Sequence, residues 1–310
     1  MSIDLLYYNE GEDLAVWLPA LQAVLPDANI RVWEEGDTAP ADYALVWNAP
    51  EAVLKDRKGL KAVINLAAGV DKLLASGLIP ESLPLYRMED AGMAIQLAEY
   101  ALHHIIGWFR RFDDYQKLQQ KQQWCDLVVP KRRDYTIGIM GLGVMGKVLA
   151  DILKPFGFAI KGWSRTAKQL DGVDTYHGQD GLPGFLKDVN VLVCLLPNTP
   201  QTVGIINADL FSQLADGACL VNLGRGAHVN EKDLLAALSS GKIHAAALDV
   251  TAVEPLPQDH PFWTHPAISI TPHIGGSTYC EDTVDQVADI IHQLEQGRTP
   301  GGLVNRQLGY

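Results

Sequence analysis

Short apolar runs alternate with stretches whose apolar residues recur at three- and four-residue spacing along almost the whole chain. The first kind of run predicts buried strands and the second amphipathic helices. In the first part, strands are predicted at Ile3–Tyr8, Ile30–Trp33, Tyr43–Trp47, Ala62–Ala67 and Leu85–Met88, with helices at Asp13–Leu25 and Glu51–Lys58. One long helix is predicted from Met93 to Gln122, apolar in its first half and Gln/Lys-rich in its second, running out of one domain into solvent. After the basic turn Pro130–Asp134 a second series begins. Its predicted strands are Thr136–Met140, Ala159–Trp163, Val191–Leu196, Cys219–Leu223, Ala245–Val250 and Ile268–Thr271. Helices are predicted between them at Lys147–Phe156, Leu182–Asp188, Ala208–Leu214 and Glu231–Ser239, and a last one at Tyr279–Gln296. Strand–helix alternation of this kind argues βαβ units and open parallel sheets with helices on both faces.

A length of 310 residues fits two such domains. With 47% hydrophobic and 20% charged residues the chain reads as globular, neither disordered nor collagen-like. The net charge of −12 disfavours phosphate backbones and anionic lipid, so neither nucleic acid nor membrane is expected as a partner. No apolar run approaches the length of a membrane-spanning helix. The N-terminal apolar run is broken at Asn9–Glu12 and reads as a first strand and turn, not a signal peptide. Cys125, Cys194, Cys219 and Cys280 are scattered, with no C-x-x-C pair, so a reducing cytoplasmic location is expected.

The first candidate chemistry is G-x-G-x-x-G at Gly141, Gly143 and Gly146, with Val144 and Met145 inside it, after an apolar strand and before a helical pattern. In that context Gly141 permits the tight turn, Gly143 lets a pyrophosphate approach the backbone, and Gly146 lets helix and strand pack closely. The helix N-terminus then offers N–H groups and partial positive charge to the phosphates. An NAD site usually places an acidic residue about 20 positions on. Here that stretch is Gly162-Trp163-Ser164-Arg165-Thr166, with no carboxylate. Ser164 and Arg165 would hold a 2′-phosphate instead, so NADPH is the expected cofactor and NADH a weaker one.

Three segments downstream end predicted strands with reactive side chains. Arg225 stands between two glycines in Asn222–Gly226, Glu254 in Leu248–Pro257, and His273 in Thr271–Thr278. Open α/β sheets bind ligands at such carboxyl ends. These segments, the glycine-rich turn and Leu195–Thr202 resemble the D-isomer-specific 2-hydroxyacid dehydrogenase family in order and spacing, over essentially the whole chain. Leu97–Tyr100 and Leu303–Tyr310 are similar to the bacterial members that reduce glyoxylate and hydroxypyruvate.

The resemblance implies roles. Arg225 would bind the substrate carboxylate and polarise its 2-oxo group. His273 would donate a proton to that oxygen as hydride arrives from the nicotinamide, and Glu254 would orient His273 and favour its protonated form. Asp249 would contact the nicotinamide carboxamide; Leu196, Pro197 and Thr202 would lie beside the adenosine. Backbone N–H groups in Ala68-Gly69-Val70 would cradle the carboxylate. Trp47 either walls the pocket or packs a strand end, and Trp124 is a candidate to line a partner subunit's pocket. The implied fold is a discontinuous flavodoxin-like substrate domain, residues 1–98 with 279–310, and a Rossmann-type cofactor domain, residues 99–278, that carries a homodimer and closes on the first about two crossovers. The expected activity is NADPH-dependent reduction of glyoxylate to glycolate and of hydroxypyruvate to D-glycerate. The alternatives are a bulkier 2-oxo acid, or a dinucleotide-sensing protein without catalysis. His260, His265 and His273 match no zinc spacing, so no metal is expected. Thr251 and Asn230 depart from the family's commoner residues and leave the chemistry intact.

Overall fold

The computed structural model describes residues 3–310. In chain order the elements are β1 (Asp4–Asn9), α1 (Leu14–Val24), β2 (Asn29–Val32), β3 (Tyr43–Trp47), α2 (Glu51–Leu54), β4 (Ala62–Asn65), α3 (Asp71–Ala75) and β5 (Leu85–Arg87). There follow α4 (Met93–Phe109), α5 (Phe112–Gln120), β6 (Thr136–Met140), α6 (Val144–Leu153), β7 (Ala159–Ser164), β8 (Asp174–His177) and α7 (Gly178–Leu186). The chain continues through β9 (Val189–Cys194), α8 (Ala208–Gln213), β10 (Ala218–Asn222), α9 (Glu231–Ser239), β11 (Ile243–Leu248), β12 (Ile268–Ile270) and α10 (Cys280–Glu295). Among the described residues four short 3₁₀ turns punctuate it, of which Gly226–His228 matters most for the site.

Two compact units form, Met1–Gly92 with Ser277–Tyr310, and Met93–Gly276. Met1 and Ser2, included in the expected substrate domain, lie outside the described residues. The boundary falls before α4 rather than after its first turns, because α4 packs with the second unit. Its buried positions Ala94, Ala98, Ala101, Ile105 and Phe109 recur at helical spacing and meet α6 and the sheet.

The first unit holds a parallel five-stranded sheet in the order β2-β1-β3-β4-β5. This is the flavodoxin-like order, whose direction reverses between β1 and β3. Trp47 ends β3 beside Asn9, the last residue of β1. The second unit holds a parallel seven-stranded sheet in the order β12-β11-β10-β9-β6-β7-β8. Its order reverses between β6 and β9, the place where open sheets leave a ligand crevice. Both strands are largely apolar and buried, and Val191, Leu192 and Val193 have no exposure.

Two expectations are corrected. The long helix from Met93 to Gln122 is two helices, because Arg111 takes a left-handed φ of 59° between α4 and α5. The apolar stripe that holds α4 stops at Phe109; α5 buries no side chain, and its sequence cannot extend the packed face. The second sheet also has a seventh strand, β8, which pairs parallel with β7 from Lys161 to Ser164. Asp174-Thr175-Tyr176-His177 is a polar edge strand with no fully buried residue, so no apolar run marks it.

Candidate active site

The glycine-rich turn joins β6 to α6 at the reversal point. Gly141 has φ of +110°, and a Cβ there would lie 2.7 Å from the Leu195 carbonyl oxygen at the end of β9. Gly146 packs against the Gly141 carbonyl so closely that a Cβ would overlap it. Gly143 is exposed, and a Cβ built on it would meet nothing within 4 Å. Two glycines are therefore needed for internal closeness, and the third borders open space. This backbone fits a pyrophosphate: a bare peptide surface at Gly143, followed by the first N–H groups of α6 at Val144 and Met145. Ser164 and Arg165 stand at the end of β7, the first buried and the second exposed. The Ser164 hydroxyl donates to the Thr166 carbonyl at 2.9 Å, which shapes the turn presenting Arg165. Lys168, which the sequence reading missed, donates from Nζ to the Leu142 carbonyl at 2.6 Å. It brings a cation to the glycine turn, and nothing in the local sequence sets it apart from other surface lysines.

Leu196, Pro197 and Thr202 lie in the loop after β9. The Thr202 hydroxyl donates to the Pro197 carbonyl at 2.7 Å and accepts from the Thr199 N–H at 2.9 Å, so it closes this loop on itself.

The loops after β10, β11 and β12 converge. Gly226 touches the Thr251 backbone so closely that no side chain would fit, which presses the Arg225 loop against the Glu254 loop. A Cβ on Gly275 would lie 2.8 Å from Asp249 Oδ2 and 2.9 Å from Leu223 Cδ2. Arg225 is half-buried, and its Nη1 donates to the Gly224 carbonyl at 2.8 Å. His273 Nδ1 lies 2.9 Å from Glu254 Oε2, and Glu254 Oε1 accepts from the Thr251 N–H at 3.2 Å. With Nδ1 occupied by the carboxylate, Nε2 is the nitrogen of His273 left to face a ligand.

His273 adopts a left-handed φ of 57°. Such a conformation costs about 1–3 kcal/mol outside glycine and persists only where the surroundings impose it. Here the His273 N–H donates to the Asp249 carbonyl at 2.8 Å and is 3.0 Å from the Thr271 carbonyl. Asp249, 3% exposed, holds the same loop with both side-chain oxygens. Oδ1 accepts from the Thr271 hydroxyl at 2.7 Å and the Ile274 N–H at 2.8 Å, and Oδ2 accepts from the Gly275 N–H at 2.9 Å. The Tyr100 hydroxyl on α4 lies 2.9 Å from Thr271 Oγ1. Burial raises the Tyr100 phenol above its ordinary value, so it stays protonated and can donate. The expected nicotinamide contact of Asp249 thus shares the residue with a loop-holding role absent from the sequence reading.

In the first unit, Ala68, Gly69 and Val70 form the turn between β4 and α3. The Asn65 side chain donates to the carbonyls of Ala67 and Gly69 at 2.7 and 3.0 Å and fixes the turn. Trp47 is half-buried at its strand end. In the second unit Trp124 is fully exposed, beyond α5. The three clustered histidines do not share a site: His260 lies 3.2 Å from Glu231, His265 accepts from the Ala267 N–H at 3.3 Å, and His273 holds Glu254. Among the described residues, Asp113, Asp114 and His244 bring ligand-type atoms within 4.8 Å of one another, but Arg111 and Lys117 already neutralise Asp114.

A doubly wound dinucleotide-binding unit with an arginine, and an imidazole–carboxylate pair at its strand ends, defines the class of nicotinamide-dependent dehydrogenases. Residues 102–275 match the family described as D-isomer specific 2-hydroxyacid dehydrogenase, NAD binding domain. The chain is 49% identical over 313 aligned positions to glyoxylate/hydroxypyruvate reductase A of Serratia proteamaculans, covering 99% of this chain and 100% of that one. It is similar throughout both chains to a D-isomer specific 2-hydroxyacid dehydrogenase from Xanthobacter autotrophicus Py2 in complex with NADPH and MES (TM-score 0.95, 35% identity). An NADPH-dependent glyoxylate/hydroxypyruvate reductase from Sinorhizobium meliloti, in complex with NADP and sulfate, matches over both full lengths with a TM-score of 0.93 and 32% identity. The chain belongs to the D-isomer specific 2-hydroxyacid dehydrogenase family and is an oxidoreductase of that kind.

Among the described residues no helix is long and apolar enough to cross a membrane.

Proposed function

We propose that this protein is an NADPH-dependent reductase of small 2-oxo acids, converting glyoxylate to glycolate and hydroxypyruvate to D-glycerate in the cytoplasm. The observation that carries this reading is the His273–Glu254 pair at 2.9 Å, held on a loop packed beside the loop of Arg225. The names of the Serratia and Sinorhizobium relatives support the substrate class, and the NADPH and NADP complexes support the cofactor.

The unit Met93–Gly276 takes the cofactor-binding role through Gly141, Gly143, Val144, Met145, Gly146, Leu196, Pro197 and Thr202. Arg165, on the turn that the Ser164 hydroxyl shapes, receives the 2′-phosphate, and Asp249 reaches the nicotinamide carboxamide while holding the catalytic loop. When bound, NADPH supplies the hydride. Arg225 pairs its guanidinium with the substrate carboxylate and withdraws charge from the adjacent oxo group. His273 gives its Nε2 proton to the oxo oxygen as the carbon is reduced, and Glu254 holds Nδ1 and fixes the ring's direction. A positioned acid of this kind contributes about 10²–10⁴ in rate. The other unit is assigned substrate binding through Trp47 and the turn Ala68-Gly69-Val70. Trp124, Val128 and Phe112 are exposed apolar side chains of the cofactor-binding unit, and a homodimer through that unit would cover them.

Arg165 gives the sharpest test of the cofactor. A guanidinium on a phosphate contributes about 1.5–3 kcal/mol, or about 10–150-fold in affinity. Steady-state kinetics with glyoxylate, hydroxypyruvate and a bulkier 2-oxo acid should show wild type preferring NADPH and the two small acids. Arg165→Ala should lose about 10–150-fold in kcat/KM for NADPH while NADH changes little. Equal losses for both cofactors would make Arg165 structural, and a wild-type preference for NADH would overturn the cofactor itself.

A further inference from the structure

The turn that carries Arg225 also holds His228, which the chemistry above leaves unused. His228 is completely buried. Its Nδ1 accepts from the Arg225 backbone N–H at 3.0 Å, so the ring carries its proton on Nε2. Nε2 lies 3.2 Å from the Pro197 carbonyl and donates to it. That carbonyl is the same one that anchors the Thr202 hydroxyl. The Cys194 thiol, which burial holds protonated well above its ordinary range, lies 3.6 Å from Nδ1 and adds a weak donor there. A Cβ on Gly224 would lie 2.8 Å from Nδ1 and 2.9 Å from the Leu196 carbonyl, so the ring fits only because residue 224 is glycine. The main chain of Arg225 is held on its other side by Asn222, whose amide donates to the Arg225 carbonyl at 3.0 Å.

We infer that His228 is a positioning residue for two subsites at once: its Nδ1 sets the arginine on the 2-oxo-acid side, and its Nε2 sets the Pro197–Thr202 loop on the nucleotide side. An imidazole is rigid and planar, with one acceptor and one donor facing different ways. Such a group can link the two loops directly in a fully buried place. The assignment of the two sides rests on the function proposed above; the clamp itself rests on the distances.

The two nitrogens can be separated by substitution. The amide of His228→Asn occupies the place of Nδ1 and can accept from Arg225, but it cannot reach Pro197. The amide of His228→Gln reaches the place of Nε2 and can donate to Pro197, but it offers nothing to Arg225. Loss of one buried hydrogen bond predicts a change of about 5–30-fold in the parameter it supports. His228→Gln should raise KM for hydroxypyruvate and lower kcat by that order while the Kd of NADPH, measured by calorimetry without substrate, stays near wild type. His228→Asn should do the reverse, weakening NADPH while KM for hydroxypyruvate stays near wild type. Two variants that move both parameters equally, or neither, would overturn the clamp. Nitrogen-15 shifts of the histidine rings in wild-type protein test it without any substitution: the Nε2–H tautomer of His228 is expected, and an Nδ1–H tautomer would contradict it. Should wild type bind NADPH yet reduce no 2-oxo acid, the functional reading fails, while the tautomer and the NADPH arm still decide the clamp.

Discussion

The glycine turn after β6 and the histidine loop after β12, the two parts of the proposed site, are built by opposite means. At Gly141 and Gly146 the geometry comes from missing side chains, which let main chain meet main chain. At His273 it comes from side chains that reach in from elsewhere: Asp249 from the end of β11, Glu254 from the following loop, and Tyr100 through Thr271 from α4. The first device makes a surface for an anion that any helix start can supply. The second holds one imidazole in a strained backbone conformation and aims it. Tolerance to substitution should differ accordingly, sharply steric in one loop and graded by hydrogen bonds in the other.

The largest effect is expected where the turn is most crowded. Gly146→Val would drive a branched side chain into the Gly141 carbonyl. Overpacking of this kind costs about 1–3 kcal/mol or more, and the strain falls on the phosphate-binding backbone itself. Calorimetry should find no NADPH binding at concentrations that saturate wild type. Binding within threefold of wild type would show that the turn does not hold the nucleotide.

Asp249→Asn should strike the other loop. The amide keeps the shape but turns one acceptor into a donor facing the N–H of Gly275 or Ile274. A buried donor left unpaired costs about 1–3 kcal/mol, so kcat should fall about tenfold or more. The Kd of NADPH should change less than kcat, and a larger effect on Kd would make Asp249 chiefly a cofactor ligand. Thr271→Val removes one link between Tyr100 and Asp249 while keeping the volume. The expected loss in kcat is smaller, about fivefold or about 1 kcal/mol, because both bonds of the Thr271 hydroxyl go while Asp249 keeps the N–H groups of Ile274 and Gly275. An unchanged kcat would mean that Asp249 holds the loop through its backbone bonds alone.

The contrast also explains what the sequence made legible. Apolar runs mark β6, β9, β10 and β11 because those strands are buried on both faces, and periodicity follows burial. β8 was missed because an edge strand needs no apolar residue, and the break at Arg111 was missed because a helical pattern can continue on paper after the core it packs against has ended. The phosphate turn was readable because its requirements are local: three glycines within six positions of a strand end. Arg225, Glu254 and His273 are expected in the site from their strand-end places and the family's wording. Tyr100, Lys168 and His228 were not found, since each acts through a partner far along the chain, His228 with Pro197 and Tyr100 with Thr271.

The central claim is that His273, aimed by Glu254, supplies the proton in 2-oxo acid reduction. It is tested most directly by His273→Gln, which keeps a polar side chain and removes the acid. Turnover with hydroxypyruvate and the Kd of NADPH should be measured on the same folded protein. A fall in kcat of about 10²–10⁴ with NADPH binding near wild type is the predicted result. A kcat near wild type in that variant would contradict it.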